Sequence, residues 1–71
     1  MPRLIVVEPF AHGWAVRQDE GIVSQIFRSG AKAEAAAHRI AARLALAGIA
    51  AEIRVYLRDG ALGGRFLCPA T

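Results

Sequence analysis

Ala31-Lys-Ala-Glu-Ala-Ala-Ala-His-Arg-Ile-Ala-Ala-Arg-Leu-Ala-Leu-Ala-Gly48 is the stretch on which the fold turns. Half of it is alanine, the strongest helix former, and it ends in glycine. Ser29-Gly30 precedes it, and a serine there can accept a hydrogen bond from a free backbone N–H of the first turn. Glu34 lies in the first turns, where negative charge suits the helix dipole. Gly48 is the expected left-handed residue at the far end. Ala33, Ala36, Ala37, Ile40, Leu44 and Ala47 recur at helical spacing and form one apolar stripe. Its alanines allow close approach to a sheet, with Ile40 and Leu44 as the large anchors.

Outward from this helix the chain reads as short strands and turns. Arg3–Glu8 is a beta-branched run and predicts strand one, broken by Pro9. Phe10-Ala-His-Gly13 reads as a connecting loop, with Phe10 expected to close one end of the core. Trp14–Gln18 is strand two, with Trp14 and Val16 on one face and Ala15 and Arg17 on the other. Asp19-Glu20-Gly21 is a turn and Ile22–Arg28 is strand three, so strands two and three form a hairpin. After the helix, Ala51–Leu57 is strand four: Ile53, Val55 and Leu57 alternate with Glu52, Arg54 and Tyr56. Arg58-Asp59-Gly60 turns the chain into strand five, Leu62–Leu67, where Gly63-Gly64 predicts a bulge or a close contact. Pro69-Ala70-Thr71 reads as a frayed tail. The sum is one small α+β domain over residues 1–71. It has a two-layer β-β-β-α-β-β arrangement, with a mostly antiparallel sheet and the helix across one face. Strand order stays open; strand five beside strand one would make the sheet wholly antiparallel.

A chain of 71 residues has room for one core, and a domain near this size hides only ~60% of its unfolded surface. Yet 55% of the residues are hydrophobic, more than one thin sheet and one helix readily cover. The surplus predicts an oligomer, most simply a twofold homodimer joined face to face through the sheet or by paired edge strands. The formal charge is +3, and eight of the nine basic residues are arginine. GC-rich codons produce such a bias, and phosphate recognition also uses it. Cys68 is the only cysteine, which excludes an intrachain disulfide and a cysteine metal cluster and fits a reducing cytoplasm. The apolar run Leu4–Val7 is stopped by Glu8 and Pro9, too short for a signal-peptide core or a membrane span. A soluble cytoplasmic protein without membrane contact is therefore expected.

Little in the chain points to catalysis. Asp19, Glu20 and Asp59 are turn residues, Glu34 is a helix-start charge, and no carboxylates are spaced as an acid/base pair. Ser24, Ser29 and Cys68 lie in no motif that would activate a nucleophile. His12 reads as a solvated loop residue and His38 as an exposed helix residue, with no ligand spacing to Cys68. Gly60-Ala-Leu-Gly63-Gly64 lacks the strand–loop–helix context of a phosphate loop. No catalytic, metal or cofactor role is expected. Trp14 could stack on a nucleobase, but it shares a face with Val16 and reads as the main core anchor. Phe27 reads as core as well.

The arginines are the best functional candidates. Arg17, Arg54 and Arg65 are expected on the sheet face away from the helix, with Tyr56 among them and Ile5 and Val7 beside them. Mixed aromatic, aliphatic and arginine surfaces are typical of interfaces. Lys32, Arg39 and Arg43 fall along one helix flank, which reads as a solvated face.

Taken together, Val6-Val7-x-Pro9, Gly13-Trp14-Ala15-Val16, Phe27, Lys32-Ala33-Glu34-Ala35 and Arg58-Asp59-Gly60 resemble a family of small bacterial proteins classed as domain of unknown function 2188. The resemblance spans nearly the whole chain. It implies a small β/α domain and no established activity. The family often has a histidine where this chain has Tyr56, so any role of that histidine does not transfer. Trp14, Val16, Phe27 and Ala35 are also similar to the packing residues of plant AP2-type and integrase arm-type DNA-binding domains, which set a three-stranded sheet on DNA. That likeness implies the geometry more than the function. The leading expectation is a non-enzymatic, homodimeric interaction module whose open sheet face binds itself or another protein. The alternative is DNA or RNA binding through Arg17, Arg54 and Arg65, with Tyr56 in the same surface.

Overall fold

The computed structural model describes residues 1–19 and 23–71, with backbone alone at Val23 and Ser24. The elements follow as β1 (Arg3–Phe10), β2 (Gly13–Gln18), β3 (Val23–Phe27), α1 (Gly30–Leu46), β4 (Ala51–Tyr56) and β5 (Leu62–Cys68). This is the expected α+β order. The expected turn residues Glu20 and Gly21, the expected strand residue Ile22 and the side chain of Ser24 lie outside the described residues.

The five strands form one sheet in the order β3-β2-β1-β4-β5. β1, β2 and β3 are a meander of antiparallel neighbours, and β4 and β5 are an antiparallel hairpin. Between these halves β1 and β4 run parallel, from Arg3↔Ala51 to Val7↔Val55. A wholly antiparallel sheet with β5 beside β1 is thereby excluded. The helix is the reason. Its 17 residues span about 26 Å at 1.5 Å per residue, so it carries the chain back along the sheet. β4 therefore starts at the end where β1 starts, and the two run together. The central place suits β1, whose Ile5, Val6 and Val7 are all buried.

β1 does not stop at Glu8. It continues through Pro9 to Phe10, and Ala11 and His12 alone make the turn into β2. Pro9 pairs with Trp14 of β2 but lies beyond Val7↔Val55, the last pair with β4. On that side no ladder bond is lost by its missing N–H. Phe10 is 46% exposed and does not close the core.

The helix ends follow from local chemistry. Ser29 Oγ accepts the Lys32 N–H at 3.0 Å, as a serine N-cap should. At the other end Ile49 N–H donates to the Leu44 carbonyl (2.8 Å) and Gly48 N–H to that of Ala45 (3.0 Å). With Gly48 at φ 82°, this is a Schellman closure. The first turn holds no acidic residue, so Glu34 falls too late to complement the dipole as expected. The buried helix residues are Ala33, Ala36, Ala37, Ile40, Ala41 and Ala45. The stripe thus continues at four-residue steps from Ala33 to Ala45 and leaves Ala47, in the cap, exposed.

Beneath the helix lie Ile5, Val7, Val16, Ala51 and Ile53, ringed by Trp14, Phe27, Leu44, Val55 and Cys68. Gly30 opens the helix directly against Trp14: a Cβ there would lie 3.2 Å from the indole ring. Cys68 is a half-buried free thiol. The tail is not frayed. Thr71 donates from its N–H (3.2 Å) and its Oγ1 (3.0 Å) to the Ala45 carbonyl, one of the last-turn acceptors. Among the described residues, no helix is long and apolar enough to cross a membrane.

Candidate interaction surfaces

The pleat sends alternate residues to opposite faces, and the strand registers decide which of them become neighbours. Val6 stands opposite Arg17 on β2 and Arg54 on β4, and Arg54 stands opposite Arg65 on β5. Arg17, Val6, Arg54 and Arg65 therefore form one transverse row across four strands, on the face away from the helix. Tyr56 shares that face, two residues beyond Arg54. The four candidate residues Arg17, Arg54, Tyr56 and Arg65 are thus brought to one surface. Ile5 and Val7 do not join them: both are fully buried beneath the helix, and Val6 holds the place expected of them. The run Leu4–Val7 is apolar throughout, so its pattern alone does not reveal which valine faces which way.

The row is not a bare strip of cations. Glu8 takes Arg17 in a two-pronged contact, with Nε at 3.1 Å and Nη2 at 3.4 Å, while Arg17 Nη1 donates to the Asp19 carbonyl at 2.9 Å. Glu52 holds the other two arginines. Arg65 donates from Nε (2.9 Å) and Nη2 (3.2 Å), and Arg54 from Nε (2.5 Å). The residue is only 7% exposed, the most deeply placed charge among the described residues. Hydrogen bonds from Arg65 first, then Arg54, lower its pKa from 4.5 to about 2. In return Glu52 raises the pKa of both guanidinium groups, with Tyr56 adding a hydrogen bond to Arg54. Asp19 ties down the end of the first hairpin: its Oδ1 accepts the Leu4 N–H at 3.0 Å and its Oδ2 meets Arg3 Nε at 3.4 Å.

Glu8 and Glu52 were not legible as arginine partners from spacing alone. One signal was available: Glu52 and Arg54 are two apart on a strand and so share a face. Arg65 joins them only through the β4–β5 register, which shifts between Val55 and Tyr56. Gly63 sits at that irregularity, packed so close that a Cβ would lie 2.7 Å from the Leu57 side chain. Both the bulge and the close contact expected of Gly63-Gly64 are present.

Beside the row lies an open hollow of about 590 Å³, with Leu4, Val6 and Pro9 in its lining and Arg17, Tyr56 and Arg58 around it. Arg58 stacks over the Trp14 ring, 5.1 Å from its centroid, and points Nη2 at the Gly13 carbonyl. Trp14 thus packs against the core and Gly30 and also meets a guanidinium, a geometry that uses the ring quadrupole. On the helix, Lys32, Arg39 and Arg43 are exposed. His38 is exposed too, and meets Phe66 edge-on at 5.1 Å between centroids. Among the described residues, no three His, Cys, Asp or Glu side chains gather as a metal site.

Part of the apolar surplus lies on one edge of the sheet, while Leu46 (81%) and Leu57 (46%) are exposed elsewhere. β5 is an edge strand, and Leu62 (49%), Phe66 (38%) and Leu67 (64%) on it are exposed. Phe66 pairs with Ile53 and so lies on the helix side, but α1 crosses β1, β2 and β4 and leaves it part-covered. Leu67 stands on the opposite face, beside an apolar dent of about 310 Å³ lined by Pro2, Ala50 and Pro69. A second exposed pair, Phe10 and Ile26, lies near the first turn. No family model, curated protein or solved structure matches this chain.

Proposed function

We propose that this chain is a non-enzymatic interaction module that associates with itself as a homodimer. The observation that carries the reading is the placement of uncovered apolar side chains on β5, an edge strand of the sheet. An edge strand is a template for another strand, and uncovered apolar side chains on both of its faces favour burial against a partner. The salt-bridged open face adds breadth without reactive chemistry. Sedimentation equilibrium on the full chain tests this: a mass that rises towards twice the monomer with concentration is expected. A strict monomer at the highest attainable concentration defeats the reading.

Nucleic-acid binding is the second reading, favoured by one observation: Arg17, Arg54 and Arg65 fall in a single transverse row. Against it, Glu8 and Glu52 already occupy these guanidinium groups and offset their charge. This reading expects DNA or RNA binding that weakens steeply with salt and is lost when the three arginines are replaced. Absence of binding at low salt excludes it.

A further inference from the structure

We infer that the dimer forms by antiparallel pairing of β5 with β5 of a second copy, centred on Phe66, to give one ten-stranded sheet with both helices on the same side. This rests on the self-association proposed above and adds the surface, the register and the symmetry. A twofold axis between two antiparallel edge strands stands perpendicular to the sheet, so equivalent faces stay on the same side. Each residue then meets a partner residue of the same face.

Two features select this edge. β5 is seven residues long and contains no proline or lysine, two of the usual guards against edge pairing. β3, the opposite edge, is five residues long. Both edges carry a register irregularity, β3 against Val16 and Arg17 and β5 at Gly63, but that of β5 lies outside Gly64–Cys68, the run that pairs here.

Charge selects the register. The group of Arg54, Arg65 and Glu52 keeps one positive charge in excess. Centring the pair on Arg65 would set two of these groups face to face across the axis, and like charges directly opposite are unfavourable. A shift of one residue puts Phe66 opposite Phe66 of the second copy, on the side where α1 leaves it part-covered. Arg65 then faces the second copy's Leu67, and Gly64 faces its Cys68. The same register directs the exposed Leu62 of each strand towards the Pro69 end of the other, where the apolar dent lies. Paired edges make a small interface, so a dimer constant in the micromolar range or weaker is expected.

The test uses the full chain in three forms. In a Cys68→Ser background, Phe66→Cys should form a disulfide-linked dimer on mild oxidation, because the two Cβ atoms at the axis lie within about 1 Å of disulfide range, which a small strand adjustment closes. Ile26→Cys in the same background, on the β3 edge, should not. Phe66→Lys, which sets two ammonium groups at the axis, should weaken the dimer by about tenfold or more in sedimentation equilibrium while the circular dichroism spectrum is unchanged. If the parent chain is dimeric, yet Phe66→Cys fails to cross-link and Phe66→Lys is without effect, the β5 pairing is overturned and self-association stands. Cross-linking through Ile26→Cys instead would also overturn it. A parent chain that stays monomeric defeats both proposals together.

Discussion

Val6 and Val7 are neighbours in β1, nearly equally dry, and covered by different chemistry. Val7 is fully buried under the alanine stripe of the helix. Val6 is 4% exposed on the open face, flanked by Arg17 and Arg54 and covered by no described helix or strand. Long arginine stems can cover apolar surface while their charged heads stay hydrated. Here Glu8 and Glu52 hold those heads in place. The contrast teaches that a two-layer domain can dry both faces of its central strand, with close-packed methyl groups on one side and an ion-paired lattice on the other.

The two covers should fail differently, and the largest effect belongs to the helix side. Ile53→Ala should cost about 2–5 kcal/mol in urea denaturation, because the backbone around it restrains collapse into the cavity. Val7→Ala should cost roughly 2 kcal/mol, from its lost methyl groups and a residual cavity. Val6→Ala should cost about half of that, because arginine stems can settle into the space more readily than a packed helix. Equal costs for the two valines would erase the distinction between the faces.

Acid should attack the open face at Glu52. The folded pKa of Glu52 lies at about 2, below its ordinary 4.5. Its ionised contacts therefore contribute fully above about pH 4.5, and the contribution is lost as pH falls towards about 2. Thermal melts of the parent chain should fall through that window, and Glu52→Gln should show a flatter acid limb from a lower starting point. An unchanged acid limb in the variant would mean that the carboxylate is not held by Arg65 and Arg54 in solution.

The smallest effect should come from salt. Glu8→Gln should cost less than about 1 kcal/mol at low ionic strength, as half-exposed pairs generally do. That difference should shrink towards zero near 1 M salt, where the screening length is about 3 Å. Val7→Ala should show no such dependence. A Glu8→Gln cost that survives high salt would assign Glu8 a packing role rather than an ionic one.

Much of this was readable locally. Ser29 and Gly48 marked the helix ends because capping depends on residues within one turn. Arg17 shared a face with Ala15 opposite Trp14, and Arg54 and Tyr56 shared a face opposite Ile53 and Val55, because a strand alternates strictly. The misreadings are equally specific. Pro9 appeared to end a strand because its missing N–H usually matters, and only the early end of the β4 pairing makes it harmless. The tail appeared loose because no local pattern shows that Thr71 reaches the Ala45 carbonyl.

The sequence by itself determined the elements, their caps and turns, and the facial alternation of β2 and β4, since these follow from interactions between residues a few positions apart. Only the tertiary structure decided that β4 lies parallel beside β1, that Val6 rather than Val7 joins the arginines, and that one carboxylate at Glu52 holds Arg54 and Arg65 together. Each of these depends on which strand lies beside which and in what register. That is set by the span of the helix and by the irregularity at Gly63, which join residues far apart in the chain.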